Sequence, residues 1–109
     1  PYEWYNQQIS DWSAEHNVQI VNFTPGTGSN ADYTTPDMKN YRSSAEIYSN
    51  IIEKDDLEGL NGYILLSHIG TDAKRTDKFY KQLDKLIKEL KSRGYEFVRI
   101  NDLLKTESF

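Results

Sequence analysis

His68 is the side chain of this sequence best suited to proton transfer near neutral pH. It follows the segment GYILLS (62–67), in which four apolar residues stand in a row. Imidazole changes its protonation state between about pH 5 and 8, so a histidine at the end of such a segment can act as an acid or a base. The alternative is a structural histidine that hydrogen-bonds a neighbouring loop or lies near the start of the next helix. Position in the sequence leaves both roles open.

Two other features are weaker candidates for a site. The second histidine, His16, shares one face of a predicted helix with Tyr5, Ile9 and Trp12, which favours packing over ligand binding. The segment GTGSN (26–30) follows a predicted strand, but it has no Lys-Ser/Thr pair and no predicted helix beside it. It is therefore interpreted as a flexible loop on the substrate side and not as a phosphate cradle.

Composition excludes several classes of function. The chain has 109 residues, a net charge of −4 and no cysteine. Nucleic acid is not an expected partner, because phosphate binding needs clustered Lys and Arg. No apolar run approaches the roughly 20 residues that span a bilayer, and no signal peptide is present. Disulfides and thiolate metal sites are excluded, and the length suits one small domain.

Helical periodicity and cap residues predict four helices, over residues 4–17, 43–54, about 73 or 76 to 93, and 101–105. Ser43 and Glu46 stand at capping-box spacing, and Ile47 and Ile51 belong to the face predicted to point inward. Asn17 and Gly94 suit the left-handed residue that ends a helix. Asn101 is the predicted cap of the last helix, and the acidic pair 55–56 is expected to be solvated.

Three apolar segments between these helices predict strands: VQIVNF (18–23), GYILLS (62–67) and YEFVRI (95–100). Their alternation with helices predicts parallel β-α-β-α-β units with right-handed crossovers. Three parallel strands leave two bare edges, so an open sheet or a (β/α) barrel completed upstream of Pro1 is expected. Ligands bind at the carboxyl ends of such strands, where His68 and the long loop 24–41 would meet.

Three segments in order resemble the C-terminal half of the polysaccharide deacetylase (NodB-homology) domain, carbohydrate esterase family four. They are PYEWYN, GYILLSHIG and LIKELKSRGYEFVRINDLL. The resemblance covers most of the chain. It implies an α/β fold in which residues 1–109 form the C-terminal half of a distorted, incomplete (β/α) barrel, without the N-terminal half that holds the metal-site motifs.

The resemblance also implies a function, the metal-dependent hydrolysis of N- or O-acetyl groups on a polysaccharide or oligosaccharide. A divalent metal, usually zinc, activates water, an Asp acts as base and a late His acts as acid. Leu66-Ser67-His68 matches the Leu-x-His motif, so by resemblance His68 is the general acid and Leu66 lines the pocket for the acetyl methyl group. Tyr2 stands where a backbone amide helps to hold the oxyanion. Further candidate substrate contacts are Trp4, Asp32 and Tyr33.

Departures from the family pattern limit what is carried over. The Asp-Asp and His-x-x-x-His motifs, which supply base and metal ligands, have no counterpart and are expected upstream, so the fragment alone should be inactive. Asn22 stands where the fourth motif has Asp, and Ile69 follows His68 where many members have Asp. The resemblance implies an extracellular, periplasmic or cell-envelope location in a bacterium. Two alternatives stay open: a non-catalytic deacetylase-like module that binds glycan or a neighbouring domain, and an unrelated α/β module with a structural His68.

Overall fold

A computed structural model of the chain describes residues 4–105. Four α-helices and two short 3₁₀ helices form its regular structure. In chain order these are α1 (Gln7–Glu15), a first 3₁₀ helix (Ser29–Tyr33), α2 (Ser44–Leu57), a second 3₁₀ helix (Phe79–Gln82), α3 (Leu83–Ser92) and α4 (Ile100–Lys105). The helices are joined by long extended or irregular segments, and one of these carries His68.

The predicted helix caps are confirmed at three positions. The Ser43 hydroxyl accepts a hydrogen bond from the Glu46 amide at 3.1 Å and opens α2. Asn17 has φ +57° just beyond α1, and Gly94 has φ +96° just beyond α3. Such caps were predictable because they satisfy end groups of the helix with residues close in sequence. The prediction for Asn101 is wrong, because α4 begins one residue earlier.

The core lies between α2, α3 and the segments next to them. Its buried apolar residues are Ile47, Ile51, Leu60, Phe79, Leu86 and Leu90. The inward face predicted for α2 is therefore confirmed, and the apolar stripe of the third predicted helix contributes Phe79, Leu86 and Leu90. The face predicted for the first helix does not join this core, since Tyr5, Ile9 and Trp12 are all exposed.

The predicted fold class is wrong. Residues 4–105 contain no strand, so neither parallel β-α-β units nor half of a (β/α) barrel is present in the described part of the chain. Just after the segment 18–23, the Thr24 N–H donates a backbone hydrogen bond to the Ile64 carbonyl at 2.8 Å. The Ile64 amide is bound by the Thr24 side-chain oxygen at 3.0 Å instead of by a second carbonyl. A strand needs a repeated ladder, and one side-chain contact of this kind interrupts it.

Residues 73–78 also differ from prediction, because the third helix does not begin there. This segment is irregular and is held by side chains, among them Lys78, whose ammonium group donates to the Thr71 hydroxyl and to the Asp72 carbonyl, both at 2.8 Å. The long loop 24–41 is likewise more ordered than expected, since it contains the first 3₁₀ helix.

Within residues 4–105, none of the helices has the length and apolar character that crossing a bilayer requires.

The carboxyl ends of α2 and α3 are joined by a polar clamp, consisting of Asp55, Arg93 and Tyr95. The Tyr95 hydroxyl donates to Asp55 and accepts the Leu60 amide at 2.7 Å, while the Arg93 guanidinium binds Asp55 at 2.9 Å. The Asp55 side chain is only 9% exposed, so its predicted place on the solvated surface is wrong. Asp56, at 62% exposure, does lie on the surface.

We expect the clamp to contribute less to stability at both ends of the pH range, because Asp55 is protonated in acid and Tyr95 is deprotonated in base. The hydrogen bond from Tyr95, followed by that from Arg93, holds the pKa of Asp55 below the usual range. The stability this gives is complete above about pH 4 and is lost as pH falls through the folded-state pKa. The same hydrogen bond to Asp55 raises the pKa of Tyr95. Its contribution is complete below about pH 10 and is lost as pH rises through the folded-state pKa.

Urea unfolding as a function of pH tests the clamp. Asp55→Asn should lower the unfolding midpoint at neutral pH and weaken its dependence on pH in the acid range. The matched control is Asp56→Asn, which removes an exposed partner of the same Arg93 and should change both properties far less. If the two variants have the same pH profile, the clamp does not contribute as described.

Candidate functional site

The structure brings His68 and Asp32 together although 36 residues separate them in the sequence. The His68 ring nitrogen Nδ1 lies 2.6 Å from Asp32 Oδ1, and the His68 backbone N–H donates to Asp32 Oδ2 at 2.7 Å. One carboxylate therefore holds both the ring and the backbone of the same residue. Such a two-point contact fixes the orientation of the imidazole, and we call this pair the dyad.

The first 3₁₀ helix positions Asp32. It starts after Gly28, whose φ of +78° is one that side-chain-bearing residues rarely adopt. The Gly28 carbonyl accepts the Ala31 amide at 3.0 Å, and Thr34 closes the turn by donating its hydroxyl to the Ala31 carbonyl at 2.7 Å. Asp32 thus stands in a short turn that is closed at both ends.

The dyad is buried on one side and open on the other. The Asp32 side chain is completely buried, whereas that of His68 is 35% exposed. The Tyr33 ring lies edge-on to the imidazole, with centroids 5.9 Å apart and an interplanar angle of 74°. A buried charge needs a close partner, and the imidazole provides one. Because Nδ1 is engaged by the carboxylate, Nε2 is the ring nitrogen left for an incoming molecule.

A buried arginine, Arg75, braces the loop that carries Asp32. Its guanidinium Nη1 donates to the carbonyls of Thr34 at 2.9 Å and Arg42 at 2.8 Å. Its Nε donates to the Asp77 carbonyl at 2.8 Å, and Nη2 lies 3.3 Å from the Ser44 hydroxyl. The ends of the segment 34–42 are therefore joined to each other and to the start of α2.

The other predicted site residues are not all brought to the dyad. Leu66 is half-buried, two residues before His68. Trp4 is 76% exposed, and among residues 4–105 no hydrogen bond or ring contact joins it to the dyad. Tyr2 lies outside the described residues. His16 stacks on Trp12 with centroids 4.1 Å apart, which agrees with the packing role predicted for it.

The residues described here do not fit the zinc ion that the family resemblance implies. Residues 4–105 contain no group of three His, Cys, Asp or Glu side chains placed to hold a metal. Both oxygens of Asp32 are hydrogen-bonded to His68, and the Asp32 side chain is completely buried. The site is a hydrogen-bonded acid–base pair as it stands.

The burial of Arg75 is not predictable from the sequence, and the contact of Asp32 with His68 differs from the substrate contact predicted for it. An arginine in a polar segment such as TDAKRTD is normally interpreted as surface, and no local pattern signals its burial. The position of Asp32 in the long loop makes it a candidate, but its burial makes it a partner of His68 and not a group that substrate can reach.

No protein-family model, curated protein or solved structure matches this chain.

Proposed function

We propose that this chain provides the general acid of a hydrolase that removes acetyl groups from a carbohydrate. His68 is the acid and Asp32 is the residue that orients it. The observation that carries the proposal is the 2.6 Å contact between His68 Nδ1 and the buried Asp32 carboxylate. The reaction class comes from the resemblance of GYILLSHIG and its flanking segments to polysaccharide deacetylases.

The dyad geometry suits donation of a proton from Nε2. With Nδ1–H bound to Asp32, protonation of Nε2 makes the ring positive, and the carboxylate supplies a counter-charge in a buried position. When the acetyl C–N or C–O bond breaks, Nε2–H protonates the leaving amine or alcohol. Donation by the backbone of His68 to the second carboxylate oxygen keeps Asp32 from rotating away during this step.

Neighbouring residues supply surfaces for the substrate. Tyr33 is 44% exposed beside the imidazole, so part of its ring is accessible to a sugar. Leu66 offers apolar surface on the segment that carries His68, which suits the acetyl methyl group. We assign Tyr33 to the sugar and Leu66 to the acetyl group within this proposal.

The base and the metal ligands of the reaction are proposed to come from polypeptide outside residues 4–105. The chain of 109 residues is therefore expected to release no acetate by itself. The proposed substrate is an acetylated polysaccharide or oligosaccharide. The divalent metal is tested as zinc and is expected to bind only when the upstream polypeptide is included.

Acetate release tests this proposal. The encoded protein, expressed with the polypeptide upstream of Pro1, is incubated with zinc and with acetylated chito-oligosaccharides, poly-N-acetylglucosamine or acetylated xylan. Acetate should appear with at least one of these and not with the same glycan after chemical deacetylation. A protein that binds zinc and releases no acetate from any of them contradicts the proposal.

A second candidate function is glycan binding without catalysis. It is favoured by the exposure of Trp4 and Tyr33, whose rings are accessible for stacking on sugars. In that case the acetylated oligosaccharides should bind, as measured by calorimetry, and His68→Ala should leave the affinity unchanged while no acetate is formed. Acetate formation that depends on His68 excludes this candidate.

A further inference from the structure

We propose that Arg75 is a positioning residue for the dyad, because its guanidinium fixes the turn that places Asp32 on His68. This inference rests on the proposed function for its catalytic consequence, but the positioning itself concerns contacts within the chain. Arg75 touches neither member of the dyad. It acts through Thr34, which lies two residues after Asp32.

The guanidinium is fully buried, and its bound partners are neutral oxygens. Among residues 4–105 no carboxylate forms an ion pair with it; the Tyr41 ring, 5.5 Å from its central carbon, is a further contact. Burying a cation in this way is costly unless every donor is satisfied. What the guanidinium provides is a planar fork that reaches three separate chain segments at once, which neither an ammonium group nor an apolar side chain can do.

The path from Arg75 to the dyad is short and continuous. Arg75 Nη1 holds the Thr34 carbonyl at 2.9 Å, and the Thr34 amide and hydroxyl both donate to the Ala31 carbonyl. These bonds close the turn in which Asp32 stands. Asp32 then holds His68 by its two oxygens. A shift of Thr34 is therefore transmitted to the carboxylate.

The other end of the brace is anchored on α2. The Ser44 amide donates to Asp77 Oδ2 at 2.7 Å, and the Ser44 hydroxyl donates to the Asp77 carbonyl at 3.0 Å. Ser44 is the first residue of α2, and Ile47, one turn later, is completely buried in the core. Arg75 thus joins the turn of Asp32 to the first residue of the helix that contributes Ile47 to the core.

A role in stability alone makes a different prediction from a role in positioning. If Arg75 only stabilises the fold, its replacement lowers the unfolding midpoint, but the molecules that remain folded keep an unchanged dyad. If it positions Asp32, the dyad is altered in folded molecules as well. The readout therefore has to report on the His68 ring and not only on stability.

The test is NMR spectroscopy of the 109-residue chain with ¹⁵N-labelled histidine. Wild type should show a downfield Nδ1–H proton and ring ¹⁵N shifts of a ring whose Nδ1 carries the proton. Arg75→Met should abolish the downfield proton in folded protein, and Arg75→Lys should retain part of its intensity. The matched control is Arg99→Met, which removes an arginine side chain that is 83% exposed and paired with Asp102 in α4, and should leave the His68 signals unchanged.

Each outcome either supports or contradicts a positioning role for Arg75. Folded Arg75→Met with unchanged His68 signals overturns the proposal, and so does failure of both Arg75 variants to fold, which would make Arg75 a folding determinant. If only Arg75→Met fails to fold, Arg75→Lys and Thr34→Val, which removes the hydroxyl between Arg75 and Ala31, must both weaken the downfield proton. In the acetate-releasing protein, Arg75→Lys should lower kcat by about tenfold, less than the roughly 10²-fold that a misplacement of about 1 Å can cost, with KM unchanged. Altered His68 signals without any acetate release leave the positioning intact and contradict the proposed function instead.

Discussion

Replacement of His68 by alanine is expected to lower the rate of acetate release by about 10²–10⁴-fold in the protein that contains this chain, because that is the usual contribution of general acid catalysis. The loss should appear in kcat and in kcat/KM alike, since the proton is transferred only in the transition state. Substrate affinity, measured by calorimetry with the inactive variant, should be nearly unchanged. Initial rates of acetate formation at several substrate concentrations provide the measurement.

His16→Ala is the matched control for this experiment. His16 is the other imidazole of the chain, exposed at the end of α1, where its Nδ1 lies 2.8 Å from the Trp12 carbonyl. Its removal should leave the rate within about twofold of wild type. Equal effects of the two substitutions, or an unchanged rate in His68→Ala, would remove His68 from the mechanism.

Asp32→Asn tests whether the buried carboxylate takes part in the proton transfer. The amide keeps the size of the carboxylate but loses its charge, so the ring loses its buried counter-charge and can turn its other nitrogen inward. The rate should therefore fall in the same direction as for His68→Ala. If Asp32→Asn is fully active, the 2.6 Å contact is structural and not part of the proton transfer.

The helices show which part of the fold the sequence could predict. Ser43 and Glu46 form a cap from residues three apart, and Gly94 ends α3 with a backbone conformation that glycine adopts easily. These signals are local, so they survive whatever the rest of the chain does. The inward faces of α2 and α3 follow from the helical period for the same reason.

The three predicted strands are not formed within residues 4–105, because an apolar run specifies burial and not a hydrogen-bonded partner. Residues 62–67 are extended and half-buried, but the neighbouring segment meets them at Thr24 through one carbonyl and one side-chain oxygen. A ladder depends on the position of a second backbone that is distant in sequence. The parallel units predicted from the alternation of helices and apolar runs, and the barrel implied by the resemblance, therefore went beyond the local signal.

The site was predictable in its residues and not in its contacts. His68 could be found because an imidazole ends an apolar segment. Asp32 was one of several polar residues of a long loop, and only the fold shows that its carboxylate is buried against His68. The burial of Arg75 could not be predicted, since no pattern in the surrounding sequence indicates a buried charge that lacks an ion-pair partner.

Replacement of Ile51 by alanine is expected to lower the free energy of unfolding by about 2–5 kcal/mol. Ile51 is completely buried in α2 and belongs to a core that has six buried apolar residues within the described range 4–105. Losing its side chain removes apolar contacts and leaves a cavity that so small a core has few side chains to fill. Since small domains are stable by about 5–15 kcal/mol in total, this loss is a large share. Urea unfolding followed by far-UV circular dichroism measures it.

Leu57→Ala is the control, because Leu57 lies at the end of the same helix and is 75% exposed. It should change the free energy of unfolding by less than about 0.5 kcal/mol.

Unfolding of α2 should also disturb the dyad, because α2 begins at Ser44, to which the Arg75 side chain is hydrogen-bonded. Urea should therefore abolish the downfield His68 proton at the same concentration that unfolds α2, and this concentration should fall in Ile51→Ala. A His68 signal that outlasts the helical signal would show that the dyad does not depend on the core.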